Sequence, residues 1–194
     1  MLKIVSAPNP ALSQLAKSIS KVDAKILKLI GEMNQTLSSA RDPIGVGLAA
    51  PQVGKSLQIF IAKPTIKSPI RAFINPEITQ KTEITHLTIP RGRVMRLNVS
   101  SSEKSQGTKL EGCLSLPNIW GQVKRNPEIT LSYVNEKGKN HKQKFNGFMA
   151  TIIQHEIDHL QGILFPKRVL EQKGKLYKSH KDEKNEDVFE EIDI

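Results

Sequence analysis

The stretch Gln154-His155-Glu156-Ile157-Asp158-His159-Leu160 decides how this sequence is interpreted. Residues i and i+4 of a helix lie on one face, so His155 and His159 can bind one metal ion. Glu156 follows the first histidine, where a carboxylate can act as general base on a water molecule activated by that ion, as in the HExxH motif. The alternative is an amphipathic helix whose histidines face solvent. Two imidazoles and a carboxylate in so apolar a helix favour the metal site.

The metal-binding helix is predicted over about residues 147–161, with Asn146 as its cap and Gly162 at its C-terminal end. Residues 151–153 are all β-branched, which is unfavourable for an isolated helix. Only burial compensates for this, so we expect a central helix packed on several sides.

One face of this helix combines apolar side chains with the two histidines. Phe148 and Ile152 precede His155 and His159 on that face, at spacings of four, three and four residues. We therefore expect the metal at the end of an apolar trough that Phe148 and Ile152 line. A substrate side chain in that trough would be apolar and unbranched or flexible, such as methionine.

Composition is that of an ordinary globular protein. The chain has 194 residues, 38% of them apolar and 25% charged, and no apolar run is long enough to span a bilayer. No secretion signal or transit peptide is recognisable, so a cytoplasmic protein without a membrane partner is expected. The net charge of +10 permits loose attraction to a polyanion such as a ribosome, whereas no motif predicts sequence-specific nucleic-acid binding.

The remaining pattern predicts an α+β fold, with antiparallel β-sheets wrapped around the metal-binding helix. Asp23 is expected to cap an N-terminal helix that ends at Ser39. Residues 1–170 are expected to form a single domain, followed by a charged tail, residues 171–194, that is partly disordered. A short helix is expected near residues 168–170. Strands are predicted at residues 57–62, 71–75, 94–99, 120–124, 129–135 and 141–145, the last two as a hairpin.

A third metal ligand has to come from elsewhere in the chain. His180 and Glu171 lie downstream, where familiar metalloproteases place their third ligand, but both fall in the predicted tail region. Cys113 is the only cysteine, and a thiolate is a strong ligand for first-row divalent metals. Two histidines and one thiolate would leave a fourth position for water, as in catalytic sites.

Two further blocks accompany the helix motif. They are Gly45-Val46-Gly47-Leu48-Ala49-Ala50-Pro51-Gln52 and Glu111-Gly112-Cys113-Leu114-Ser115. With the histidine block, in this order, the sequence resembles the peptide deformylases, and the similarity extends over most of residues 1–170. The stretch of residues 84–109 is longer than the usual connection before the cysteine block.

The resemblance implies an enzyme that removes the N-formyl group from the initiator methionine of nascent polypeptides and releases formate. It assigns the metal to Cys113, His155 and His159, with Fe²⁺ as the usual ion and Zn²⁺, Ni²⁺ or Co²⁺ as alternatives. It makes Glu156 the general base. The oxyanion would be stabilised by the side-chain amide of Gln52 and the backbone N–H of Leu114. The strand of Gly45, Val46 and Gly47 would pair with the substrate backbone.

Two other functions are compatible with the same residues. A zincin-like endopeptidase would need a downstream third ligand. A deformylase-like protein that keeps its metal and acts as a ribosome-associated binder would show no turnover of formylated peptides.

Overall fold

The computed structural model describes residues 1–40, 44–82, 110–183 and 186–192. The α-helices of this part of the chain are α1 (Ala24–Ser39), α2 (Gly147–Leu160) and α3 (Phe165–Glu171). Its strands are β1 (Gly47–Ala49), β2 (Ile59–Ala62), β3 (Arg71–Lys81), β4 (Leu110–Cys113), β5 (Leu116–Gln122), β6 (Glu128–Val134), β7 (Asn140–Asn146), β8 (Leu176–Lys181) and β9 (Asp187–Ile192). Short 3₁₀ helices cover Pro10–Leu12 and Ala50–Val53.

The strands form two antiparallel sheets. The first has five strands in the order β1-β2-β3-β6-β7, and the second has four in the order β4-β5-β8-β9. Helix α1 packs on one face of the first sheet and helix α2 on the other. Strand β2 is therefore buried on both faces, with Phe60 toward α2 and Ile61 toward α1. The α+β class predicted from the sequence is confirmed.

Helix α1 begins and ends where the sequence predicts. The Asp23 carboxylate accepts hydrogen bonds from the backbone N–H groups of Lys25 and Ile26, which satisfies two otherwise unpaired donors at the helix start. Met33 and Leu37 on its inner face are fully buried, so the apolar stripe faces the core.

Helix α2 confirms the prediction that burial supports its β-branched run. Ile152 is 3% exposed and Ile153 is fully buried against the first sheet. The helix ends at Leu160, and Gly162 follows in the left-handed region at φ 70°. One detail differs, because Asn146 occupies the cap position without a capping hydrogen bond from its side chain.

Strands β6 and β7 form the predicted hairpin, with Ile129 opposite Phe145. Strand β3 is longer than predicted and continues through Pro76 to Lys81. A register shift between Ile74 and Glu77 accommodates this proline, so the strand keeps its pairing with β6 on both sides of the irregularity.

The segment after Leu170 differs from the expected tail. Helix α3 is longer than the turn predicted there, and β8 and β9 form a hairpin that joins the second sheet through β5. Cross-strand ion pairs at 2.6–2.8 Å connect its basic and acidic halves, Lys175 with Glu191 and Lys181 with Asp187. The two charge blocks therefore face each other instead of extending separately into solvent.

Two predictions fall outside the described residues, the strand at residues 94–99 and the insertion over residues 84–109. In the part of the chain that is described, the helices are too short or too polar to cross a lipid bilayer.

Candidate metal centre

Three predicted ligands converge between the two sheets. Cys113 ends strand β4, and His155 and His159 lie one turn apart on α2. The Cys113 Sγ atom is 3.2 Å from His159 Nε2, and one donor atom from each of the three residues lies within 4.8 Å of the others. Cys113 is 5% exposed and His159 is 1% exposed, so the donors form a buried cluster. Thiolate and imidazole are both donors for divalent metals such as zinc, and three protein ligands are typical of a catalytic site.

A carboxylate fixes the orientation of the first histidine. The Nδ1 atom of His155 is 3.1 Å from Glu111 Oε2, which leaves Nε2 for the metal. Arg125 donates to both Glu111 oxygens, at 2.8 and 2.9 Å. Burial is the largest single influence on Glu111 and raises its pKa, but the hydrogen bonds from Arg125 and His155 outweigh it and lower the pKa to about 2. Glu111 is therefore an ionised acceptor for His155.

The network of ion pairs around Glu111 extends to helix α3. Arg125 also donates to Asp158 at 2.6 Å, and Arg168 of α3 donates to the other Asp158 oxygen at 2.7 Å. The supporting roles of Arg125 and Asp158 were not predicted from the sequence. The available signal was Asp158 itself, a charged residue between two ligands in an apolar helix, which needs a buried cation to pair with.

Replacing Glu111 by glutamine is expected to weaken metal binding about 10–100-fold, because a neutral amide orients His155 less firmly than a carboxylate does. The change also removes one of the two carboxylates that pair with Arg125. The measurement is a competition titration against a metal-sensitive dye. The matched control is Glu128→Gln, which removes the same charge from a surface pair with Lys144. Equal affinities for the two variants would contradict the role given to Glu111.

Glu156 lies next to His155 in a dry environment. It is 3% exposed, and its Oε2 atom has no hydrogen-bond partner among the described residues. Burial raises its pKa to about 7, with a smaller contribution from Glu111, while His155 and Arg125 act in the opposite direction. A Cβ atom on Gly47 would collide with the Glu156 carboxyl group, so the β1 backbone lies directly against this side chain.

The Gln52 side chain contacts the metal-ligand cluster at Cys113. Its Oε1 atom accepts a hydrogen bond from the Ala49 N–H at 2.8 Å, which turns the amide nitrogen toward the opposite side. That nitrogen is 3.4 Å from both Cys113 Sγ and Ser115 Oγ. Leu114 lies between these two residues in the turn that connects β4 and β5. Both residues predicted to stabilise an oxyanion therefore flank the metal ligand.

The predicted substrate-binding residues lie on α2, on β1 and in the segment just before β1. Gly45 and Val46 lead into β1, which pairs only with β2 among the described strands. Ile152 packs close to Gly47, since a Cβ atom there would lie 3.0 Å from Ile152 Cγ2. Phe148 is 44% exposed on the first turn of α2. One edge of β1 thus has no strand partner among the described residues, and the three residues of β1 are themselves buried.

The downstream residues considered as third ligands lie elsewhere. His180 is on β8, 3.9 Å from Glu190, and Glu171 pairs with Arg168 at 3.0 Å. The third donor beside His155 and His159 is Cys113, as the resemblance implies.

A buried thiol, two histidines one helical turn apart and an adjacent buried carboxylate define the class of metal-dependent hydrolases. The polypeptide deformylase family model matches residues 1–175. The chain belongs to this family, and its activity is removal of the N-formyl group from nascent peptides.

Individual relatives agree with the family match. The chain is 37% identical over 166 residues to the peptide deformylase of Pseudothermotoga lettingae, covering 84% of this chain and 80% of that protein. It is 35% identical over 164 residues to the peptide deformylase of Treponema pallidum, covering 84% of this chain and 85% of that protein.

Solved structures show the same fold. The peptide deformylase of Thermotoga maritima superposes with a TM-score of 0.69 at 32% identity, covering 87% of this chain and 97% of that one. The peptide deformylase of Synechococcus elongatus in complex with actinonin gives a TM-score of 0.68 at 32% identity, covering 86% and 78%.

Proposed function

We propose that this chain hydrolyses N-formylmethionyl peptides with Cys113, His155 and His159 as metal ligands and Fe²⁺ as the physiological ion. The convergence of these three donors supports the proposal. Zn²⁺, Ni²⁺ and Co²⁺ also suit a thiolate and two imidazoles. The chemistry supplied by a bound divalent ion is Lewis acidity, which lowers the pKa of water toward about 7. Preference for iron rests on the family resemblance.

Glu156 is proposed as the proton carrier. Its carboxylate takes a proton from the attacking water and passes it to the leaving amine of the methionine. The support is positional: Glu156 is buried beside His155, and one of its oxygens has no partner among the described residues. A buried acceptor of this kind is costly unless it acts on a substrate or solvent proton.

Gln52 and Leu114 are proposed to stabilise the oxyanion that develops on the formyl oxygen. The Gln52 amide is held with its N–H groups toward Cys113, and the Leu114 N–H lies one residue beyond that ligand. Donors already oriented toward a developing charge contribute roughly 3 kcal/mol each to lowering a barrier.

The peptide is proposed to bind as an added strand along Gly45, Val46 and Gly47. The edge of β1 that no described strand occupies would provide the backbone groups for such pairing. The methionine side chain would then lie on Phe148 and Ile152. A formyl group is the smallest acyl group, so the tight approach of Gly47 to Glu156 would admit it and exclude an internal peptide bond.

The test is release of formate from formyl-Met-Ala-Ser by iron-loaded protein purified without oxygen. We expect formate in proportion to substrate consumed, and inhibition by actinonin. Cleavage of an internal bond in the unformylated peptide, without formate release, would favour an endopeptidase. Metal binding without turnover of any formylated peptide would favour a binding protein.

Two wider features are also proposed. Residues 1–170 form one cytoplasmic catalytic domain, which the β8–β9 hairpin extends through the second sheet. The whole chain's net charge of +10 would attract ribosomes loosely. Co-sedimentation that disappears above about 0.5 M salt would agree with this, since salt screens such attraction, and no co-sedimentation at low salt would refute it.

A further inference from the structure

The segment between strands β5 and β6 is held in place by two glutamine side chains. It comprises residues 123–127 and carries Arg125, which pairs with two carboxylates next to the metal ligands. The residues on either side of this arginine, Lys124 and Asn126, lie outside both sheets. Backbone N–H and C=O groups outside a sheet need other hydrogen-bond partners. For Lys124 and Asn126 those partners are glutamine amides.

Gln154 of helix α2 binds the residue after Arg125. Its Oε1 atom accepts a hydrogen bond from the Asn126 N–H at 3.0 Å, and its Nε2 atom donates to the Asn126 C=O at 2.9 Å. The same Nε2 atom donates to the Ala150 C=O at 2.9 Å, so both amide hydrogens are used. Gln154 is buried, and it immediately precedes His155. The neighbour of a metal ligand thus fixes one side of Arg125.

Gln172 makes the same pair of hydrogen bonds to the residue before Arg125. Its Oε1 atom accepts a hydrogen bond from the Lys124 N–H at 2.7 Å, and its Nε2 atom donates to the Lys124 C=O at 3.2 Å. Gln172 is the C-terminal cap of α3, four positions after Arg168, so the two side chains lie on one side of that helix. One side of α3 therefore contacts both the β5–β6 segment and the ion-pair network.

Two anchored residues consequently flank a single arginine. Each glutamine amide offers one acceptor and one donor to the backbone of the segment, as a neighbouring strand would do. The guanidinium group between these anchors donates to Glu111 and Asp158 at distances of 2.6–2.9 Å. A shift of the segment would lengthen or bend these hydrogen bonds and weaken them. The two glutamines therefore determine how firmly Arg125 holds the carboxylates.

We propose that Gln154 and Gln172 are positioning residues of the metal centre, and that they act on His155 through Arg125 and Glu111. The proposal rests on the proposed ligand set, which includes His155. Of the two carboxylates that Arg125 binds, Glu111 contacts this ligand, at 3.1 Å from its Nδ1 atom. A firmly held Glu111 keeps the imidazole in the orientation that directs its other nitrogen to the metal.

The first test is a double-substitution cycle measured as metal affinity. Methionine is close to glutamine in length and shape, and it removes both hydrogen bonds. Gln172→Met should weaken Zn²⁺ binding about fivefold in competition with a metal-sensitive dye, less than the loss expected for a direct partner of a ligand. Gln154→Met should weaken it at least as much, because that side chain is buried. In the Glu111→Gln background, the loss from Gln172→Met should fall below about twofold, since the connection to His155 is already interrupted.

Gln143→Met is the matched control. Gln143 accepts a hydrogen bond from a different arginine, Arg71, at 2.8 Å on the first sheet. This variant should bind Zn²⁺ as tightly as the unmodified chain. A purely structural role of Gln172 would give the same loss with and without Glu111→Gln. That result, an unchanged affinity in Gln172→Met, or an equal loss in Gln143→Met would overturn the proposal.

The second test observes Arg125 in the metal-free protein. The Nε–H proton of a guanidinium group held in a stable network exchanges slowly with solvent and gives an NMR signal, which Arg125→Lys identifies by its loss. This signal should weaken in Gln172→Met and persist in Gln143→Met. Full intensity in Gln172→Met would overturn the proposal. A chain that shows both effects and releases no formate from any formylated peptide would refute the proposed function and support the two positioning roles.

Discussion

Replacing Glu156 by glutamine is expected to lower kcat about 10³-fold, within the usual range for loss of general acid–base catalysis. The amide matches the carboxylate in size and cannot accept the proton of the attacking water. The neighbouring ligands His155 and His159 keep their positions on α2, so one metal ion per chain should remain bound. The loss should lie in kcat, with KM for a formylated peptide nearly constant.

The measurement combines formate release with elemental analysis of the same preparation. The matched control is Glu136→Gln, which removes one carboxylate from the exposed turn between β6 and β7. It should retain both activity and metal. A Glu156→Gln enzyme with at least a tenth of the original kcat would show that another group carries the proton. Loss of metal together with activity would instead assign Glu156 a structural role.

Replacing Cys113 by alanine is expected to remove the metal and the stability that the metal confers. Two imidazoles remain, and a site with one ligand fewer binds first-row divalent metals far more weakly. Metal at a hundredfold excess over its Kd stabilises the folded state by about 3 kcal/mol. In a chain of this size, that corresponds to roughly 5–10 °C in Tm. The Tm of Cys113→Ala should therefore be insensitive to added metal or chelator.

Val123→Ala is the matched control for this experiment. Val123 belongs to the same buried cluster as Cys113, so its truncation removes core volume without removing a ligand. This variant should have a lower Tm than the unmodified chain both with and without metal, and its Tm should still rise when metal is added. If Cys113→Ala gained as much from metal as Val123→Ala, the thiol would not be a ligand.

The features best predicted from the sequence are those that depend on residues close together in the chain. The pairing of His155 with His159 follows from helix periodicity, and the cap at Asp23 follows from the residue type beside an apolar stripe. Cys113 could be named as a candidate ligand from its chemistry, but the resemblance was needed to assign it to the site. It lies 42 positions before His155, and no local pattern shows which strand will meet a distant helix.

The features missed from the sequence depend on contacts between distant segments. The charged C-terminal segment resembles a solvated tail when its residues are considered alone, and it becomes a hairpin because β5 offers it an edge. Arg125 finds Glu111 and Asp158 only after three elements have come together. Composition defines the number of ionic groups, whereas the fold determines which of them form ion pairs.

Cys113 as the sole thiol has a chemical consequence for an oxidising environment. Its sulfur belongs to the metal centre, so oxidation of this one atom would be sufficient to inactivate the enzyme. A sulfenic acid is ordinarily rescued when a second cysteine of the same chain condenses with it to form a disulfide. This chain has no second cysteine. Repair therefore depends on a thiol donated by another molecule, and its speed depends on how easily that donor reaches a sulfur that is 5% exposed.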